Sequence, residues 1–265
     1  MSASCHQTSP LVWTSAASGQ PPSVSSTPAP SLGAGCFPML LLVTHSAPTL
    51  EQHRTPSLGR LVQPRHWSSI ERTIRSGMPW AADNDCYQGL NPRRYIAMLD
   101  RLQDALIAAN DGERRGEYWR GRPLFVTIPD AVADSRTTAH QWGVWANAVR
   151  QRGLPLAFVA QNGCDDLRMS PPWHELDAVF IGGDTAWKLG PQARRIVRIC
   201  KERGKHVHMG RVNTERRLRY AESIGVDSVD GTKWARWRNT YLDAGLRFVD
   251  HTPAPPPHPQ QLALI

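Results

Sequence analysis

A (β/α)8 barrel is the fold class this sequence predicts, on three observations. Short apolar, β-branched runs recur along the chain, helical patterns separate them, and eight such units fit within about 210 residues. No G-x-G-x-x-G or Walker-type loop follows the first run, so a doubly wound sheet is the weaker alternative. The runs lie at 40–45, 79–84, 124–130, 154–161, 178–183, 206–210, 227–232 and 247–250.

Each run has a readable end. The first, Leu-Leu-Leu-Val-Thr-His, closes on His45. The run at 79–84 leads into Asp83-Asn84-Asp85, and that at 124–130 ends in Pro129-Asp130. Next come Gln161-Asn162-Gly163, then Gly182-Gly183-Asp184. The run at 206–210 ends in His208-Met209-Gly210-Arg211, and that at 227–232 holds Asp230-Gly231-Thr232. Among the helical patterns, 191–203 is clearest. Pro191 sits in its first turn, Ile196, Val197 and Cys200 share one side, and Gly204 follows its end. A second runs from Asn213, a good N-cap, to Ile224 and is closed by Gly225. Asp134 and Asp184 read as helix caps.

Composition sets the boundaries. The 265 residues carry Lys+Arg 31 against Asp+Glu 23, a net charge of +8. Residues 1–38 hold nine Ser, six Pro and no charged side chain, which cannot bury enough apolar surface to offset chain entropy. They are expected to be a disordered extension, and 251–265, with its Pro-Pro-Pro, a second Pro-rich tail. The folded part is then 39–250. No run approaches the roughly 18 apolar residues of a membrane span, and the first 50 residues contain no Lys or Arg for a signal-peptide n-region. Cys5, Cys36, Cys86, Cys164 and Cys200 are odd in number, widely spaced and form no C-x-x-C pair. Neither a disulfide framework nor a structural zinc site is expected, and a reducing, cytoplasmic compartment follows. The sequence thus predicts a soluble chain with no membrane contact.

In a barrel the active site lies at the C-terminal strand ends. Taken singly, Asp, Asn and Gly there serve equally as caps and turns. Together, three carboxylates, an amide and a Gly pair converge on one mouth. Their order resembles the tRNA-guanine transglycosylase superfamily. That family's D-S-G-G-Y-Q segment is similar to Asp83-Asn84-Asp85-Cys86-Tyr87-Gln88, and its A-V-G-G strand end to Phe180-Ile181-Gly182-Gly183. Its L-M-G-V-G turn resembles His208-Met209-Gly210-Arg211-Val212, and its G-x-D-x-F-D nucleophile strand resembles Gly225-Val226-Asp227-Ser228-Val229-Asp230. The resemblance runs in order across 39–250. Two features depart from it. The C-x-C-x-x-C…H zinc site of the tRNA-acting enzymes has no counterpart, since no cysteine follows Cys200, and only Pro129-Asp130 stands where the family has D-E-C-T-P. This short form resembles the phage-type branch that inserts 7-deazaguanine bases into DNA.

The resemblance implies exchange of guanine for a 7-deazaguanine base, such as 7-cyano-7-deazaguanine, in DNA, without a cofactor or metal, in a bacterial or phage-infected cytoplasm. Asp230 is the implied nucleophile on C1′ and Asp83 the general acid/base, with Asp85 as its competitor. Asp130, Gln161 and the backbone of Gly182 and Gly183 are the candidates for reading the base edge, since carboxylates accept and amides do both. Tyr87 or Met209 would cover the ring, or else pack near the rim. A homodimer is also implied. Only four of the 31 basic residues are lysines (Lys188, Lys201, Lys205, Lys233). Arg211, Arg216, Arg217, Lys233, Arg236 and Arg238 flank the expected nucleophile and suit phosphate contacts, and Trp234 and Trp237 interleave with them. The alternatives are the same exchange on tRNA, as in queuine tRNA-ribosyltransferase-like enzymes, and a nucleic-acid-binding barrel without catalysis. A further one is a metal-dependent hydrolase using His206, His208 and Asp230.

Overall fold

Eight parallel strands pair in chain order and close on themselves. They are β1 (Leu40–Val43), β2 (Leu58–Val62), β3 (Trp80–Ala82), β4 (Val126–Thr127), β5 (Leu156–Ala160), β6 (Ala178–Ile181), β7 (His206–Met209) and β8 (Ser228–Asp230). Helices lie between them: α1 (Ile70–Ser76), α2 (Pro92–Ala109), α3 (Ser135–Arg150), α4 (Thr185–Lys188), α5 (Pro191–Glu202) and α6 (Glu215–Ser223). After β8 come α7 (Thr232–Ala235) and α8 (Thr240–Val249). The chain is therefore a (β/α)8 barrel. This computed structural model describes residues 39–44, 50–53, 55–112, 119–164, 173–236 and 240–251. The expected N-terminal extension, the tail from residue 252, His45, Trp237 and Arg238 lie outside the described residues.

Strand alternation divides the core in two. Leu42, Leu61, Ala81, Phe125, Ala157 and Ala178 point into the lumen, joined by Leu40, Leu124 and Phe180. The neighbouring residues Leu41, Val43, Leu58, Val62, Trp80, Ala82 and Val126 face the helices. A strand buried on both faces must be apolar throughout, hence the uninterrupted runs. The lumen is packed, with Phe125 and Phe180 meeting edge to face at 6.3 Å.

Two elements differ from the sequence expectation. β2 lies where no run was expected, because Gly59 and Arg60 interrupt its apolar pattern, and of the run expected at 247–250 residues 247–249 are helical. Arg60 escapes the apolar rule because its guanidinium donates to Ser68 O (2.6 Å), Ser69 O (3.3 Å) and Thr73 Oγ1 (2.7 Å), pinning the start of α1. Gly59 leaves room for its neighbours: a Cβ there would lie 2.5 Å from Leu42 Cδ2 and 2.6 Å from Pro79 O. Gly59→Ala is therefore expected to destabilise the fold by about 1–3 kcal/mol, read from the urea midpoint. At the other end, Leu242, Leu246 and Val249 are buried at i, i+4 and i+7, so Arg247-Phe248-Val249 is the last turn of α8.

Helix termini follow simple capping chemistry. Asp134 caps α3 by accepting from Arg136 N and Thr137 N, and Asp184 caps α4 through Trp187 N. α6 is capped by Thr214, which accepts from Arg217 N, not by Asn213. Asn213 instead accepts from Lys233 N at 2.9 Å, tying the β7 loop to α7. Among the described residues no helix is long and apolar enough to cross a membrane.

Candidate active site

Several strand ends at the barrel mouth deliver polar groups, Gln63 after β2, Asp83 after β3, Gln161 after β5 and Asp230 at the end of β8. Two residues beyond Ala81, Asp83 accepts from Gln63 Nε2 at 3.0 Å and Thr127 Oγ1 at 3.4 Å. Burial is the main cause that pushes its carboxyl up to about 7, and the negative charges of Asp230, Asp130 and Asp85 add to it. The Gln63 amide opposes that shift, because it favours the charged form. Asp85 lies nearby in a left-handed turn (φ 61°) and is held by Arg65, whose Nε and Nη2 lie 2.5 and 3.0 Å from its two oxygens. The two carboxylates thus differ: Asp85 is ion-paired, while Asp83 lacks a cationic partner among the described residues.

Asp130 and Gln161 form one unit. Gln161 Nε2 donates to Asp130 Oδ2 at 2.5 Å, and Asn84 Nδ2 donates to Asp130 Oδ1 at 2.8 Å. The other end of the glutamine amide is fixed too, since its Oε1 accepts from Ala133 N at 2.9 Å and Gly183 N at 2.7 Å. Burial raises the Asp130 carboxyl, against the hydrogen bonds from Asn84 and Gln161. Gly182 permits this arrangement, because a Cβ there would sit 2.6 Å from Gln161 Nε2. The Gly182 and Gly183 amides, expected to meet a base edge, are engaged inside the protein. Gly182 N donates to Ala160 O at 2.9 Å, and Gly183 O accepts from Arg211.

Asp230, at the end of β8, is mostly buried. Its Oδ1 accepts from His208 Nε2 at 3.0 Å and from Arg211 N at 3.2 Å. Gly210 makes space chiefly for the Phe180 ring, since a Cβ there would lie 2.5 Å from its Cε1 and 3.3 Å from Asp230 Oδ1. Beside this turn Lys188, buried on α4, donates to Gly210 O at 2.6 Å. Burial and the neighbouring Arg211 push its ammonium down to about 7, with Asp230 opposing.

The remaining candidates separate. Tyr87 stands at the rim, 63% exposed, with the Arg211 guanidinium 4.6 Å above its ring. Met209 does not reach the site: it lies on the opposite side of β7 from His208, fully buried in the helix-facing core with Val207 and Ile181. Arg217 donates to Arg211 O at 3.4 Å, so both stand beside the mouth. Arg216 and Arg236 are exposed, and Lys233 lies 4.7 Å from the Tyr241 ring centroid. Trp234 is a core side chain whose Nε1 donates to Val212 O at 2.6 Å. Arg238 lies outside the described residues.

The metal-hydrolase arrangement is not assembled. His206 Nε2 and His208 Nδ1 both meet Ser228 Oγ, and among the described residues no three His, Cys, Asp or Glu side chains are grouped to hold a metal ion. Sequence reasoning missed Gln63, Arg65 and Lys188. The first two follow from the unread β2, and the Leu-Gly-Arg-Leu-Val run was its only signal. Lys188 sits on a four-residue helix that has no pattern of its own. No protein-family model matches this chain, and no curated protein matches it.

Proposed function

We propose that this barrel exchanges guanine for a 7-deazaguanine base in DNA by a retaining double displacement. One observation carries the reading: Asp83, Asp130 and Asp230 share the mouth, each with a different set of hydrogen-bond partners. Asp83 is poised near neutrality, as a proton donor and acceptor must be. Asp230 is oriented by two donors on one oxygen. Asp130 is locked to an amide that offers complementary hydrogen-bonding atoms.

In the first displacement Asp230 attacks C1′, the C1′–N9 bond breaks, and Asp83 gives its proton to the departing guanine. A glycosyl ester on Asp230 remains. In the second, the Asp83 carboxylate takes the N9 proton of the incoming base, whose nitrogen attacks C1′ and frees Asp230. Two inversions retain the configuration, as in retaining glycosidases. An incoming purine edge takes the place of the Asp130–Gln161 hydrogen bond, and the Tyr87–Arg211 stack closes over the rim. Duplex DNA hides C1′, so the nucleotide is flipped out or unpaired. Arg211, Arg217, Arg216, Lys233 and Arg236 then meet the phosphates. The missing cysteines favour DNA over tRNA.

The test is nucleoside mass spectrometry after incubation with 7-cyano-7-deazaguanine and either DNA or tRNA. A deazaguanine deoxynucleoside is expected. Product in tRNA alone moves the substrate and keeps the chemistry, and product in neither removes the enzymatic reading. Binding adds a second check. Arg217→Ala is expected to weaken DNA of every sequence alike and to lower the salt slope by about 0.7–0.9, in a fluorescence titration against salt.

A further inference from the structure

A chain of hydrogen bonds climbs the inner side of β7 and β8 to Asp230. His206 Nε2 lies 2.8 Å from Ser228 Oγ, that hydroxyl lies 2.9 Å from His208 Nδ1, and His208 Nε2 lies 3.0 Å from Asp230 Oδ1. Strand geometry builds it. Residues 206 and 208 share a face, and the β7–β8 register sets His208 against Ser228. His208 is fully buried, with the Phe180 and Phe125 ring centroids 4.6 and 5.1 Å away. In such surroundings both of its ring nitrogens need a polar partner. Ser228 and Asp230 are those partners.

A carboxylate can only accept, so His208 Nε2 carries a hydrogen whichever way the rest of the chain points. Arg211 N donates to the same oxygen at 3.2 Å. Asp230 Oδ1 is thus held twice, while Oδ2 has no hydrogen-bond partner among the described residues.

We infer that His208 is a positioning residue for Asp230, supported by Ser228 and His206, and that Oδ2 is the oxygen that attacks the sugar. This rests on the base-exchange reading. The two donors fix the carboxylate plane through Oδ1 and leave the lone pairs of Oδ2 for C1′. As the Oδ2–C1′ bond forms, the C1′–N9 pair leaves with guanine and is neutralised by the Asp83 proton. Ser228, bonded to both imidazoles, stops the His208 ring from turning. Loss of this alignment by about 1 Å is enough to slow a displacement on the order of 10²-fold.

Two measurements test it. The first uses the unaltered protein: ¹⁵N-histidine NMR at pH 7, with His208 assigned by its absence in His208→Gln. A protonated Nε2 on His208 is expected, and an unprotonated one overturns the inference whether or not any base is exchanged. The second compares His208→Gln, whose amide nitrogen can replace Nε2, with His208→Phe, which fills the space without a donor. The Phe variant is expected to lose about 10²-fold in kcat with KM little changed, and the Gln variant to recover most of that loss. Equal losses in both, or a KM change without a kcat change, overturn the positioning role. Failure of the base-exchange reading looks different: the unaltered protein then exchanges nothing, while the NMR signal still decides the His208–Asp230 contact.

Discussion

Asp230→Asn is expected to lower base exchange by about 10⁴-fold or more, because a covalent route loses its nucleophile outright. The amide oxygen can still accept from His208 Nε2 and Arg211 N, so the loop after β7 keeps its partners. Asp230→Ala removes the same nucleophile but also strands both donors, at a cost of about 1–3 kcal/mol in stability. The asparagine variant is therefore the sharper probe. Mass spectrometry of the DNA nucleosides reads the loss, and urea denaturation shows that the fold has survived. Exchange by Asp230→Asn at an undiminished rate would remove Asp230 from the chemistry and return the choice to Asp83 or Asp85.

On the proposed mechanism Asp83 is expected to govern the pH dependence. Its carboxyl, raised by burial to about 7, would have to be protonated for guanine to leave. The first displacement, followed as release of guanine from DNA, is expected to fall as pH rises through about 7. Asp83→Asn is expected to lose about 10²–10⁴-fold and to flatten that limb. An unchanged limb in this variant would assign the titration to another group, of which Lys188, pushed down to about 7 beside the same mouth, is the nearest candidate.

The same shift has a stability consequence of defined sign. A carboxyl whose folded value exceeds its unfolded value of 3.8 keeps its proton in the fold while the unfolded chain ionises. Stability is therefore lost as pH rises from about 4 to 7, and stays lost above that. Asp83→Asn, which has no charge to desolvate and still accepts from Gln63, is expected to be more stable at pH 8. The gain is about 2–3 kcal/mol, discounted from the full shift because the side chain is partly accessible. A protein that is stabilised as it is inactivated is what an active-site carboxylate under strain predicts. A structural aspartate predicts loss of both.

The sequence by itself determined the architecture and the positions of the polar strand ends. Parallel strands buried on both sides are mostly apolar, with polar residues on the lumen side of β7 and β8, so seven of the eight announced themselves as short runs, and the barrel followed from their number and spacing. Strand ends mark the mouth in such a barrel. Asp83, Asp130, Gln161 and Asp230 were therefore legible as positions before any contact was known, and Asp134 and Asp184 as caps. The eighth strand was hidden because packing required a glycine beside Leu42 and an arginine reaching to α1, both of which break an apolar run. The Arg247-Phe248-Val249 segment misled for the opposite reason: four residues fit a strand, and only burial at Leu242, Leu246 and Val249 shows the helical period.

What the tertiary structure alone decided is the state of each group. Side-chain direction turned Met209 to the helices and His208 to the lumen, although they are neighbours in the chain. Closure of the barrel brought Arg65 to Asp85 and left Asp83 with other carboxylates, which separates two aspartates that the sequence could not tell apart. Register set Ser228 between two histidines and linked His208 to Asp230, where the sequence had offered the pair only as an alternative metal site. Charge state and hydrogen-bond direction depend on which atoms meet through space, and strand pairing with burial fixes that only after the chain has closed.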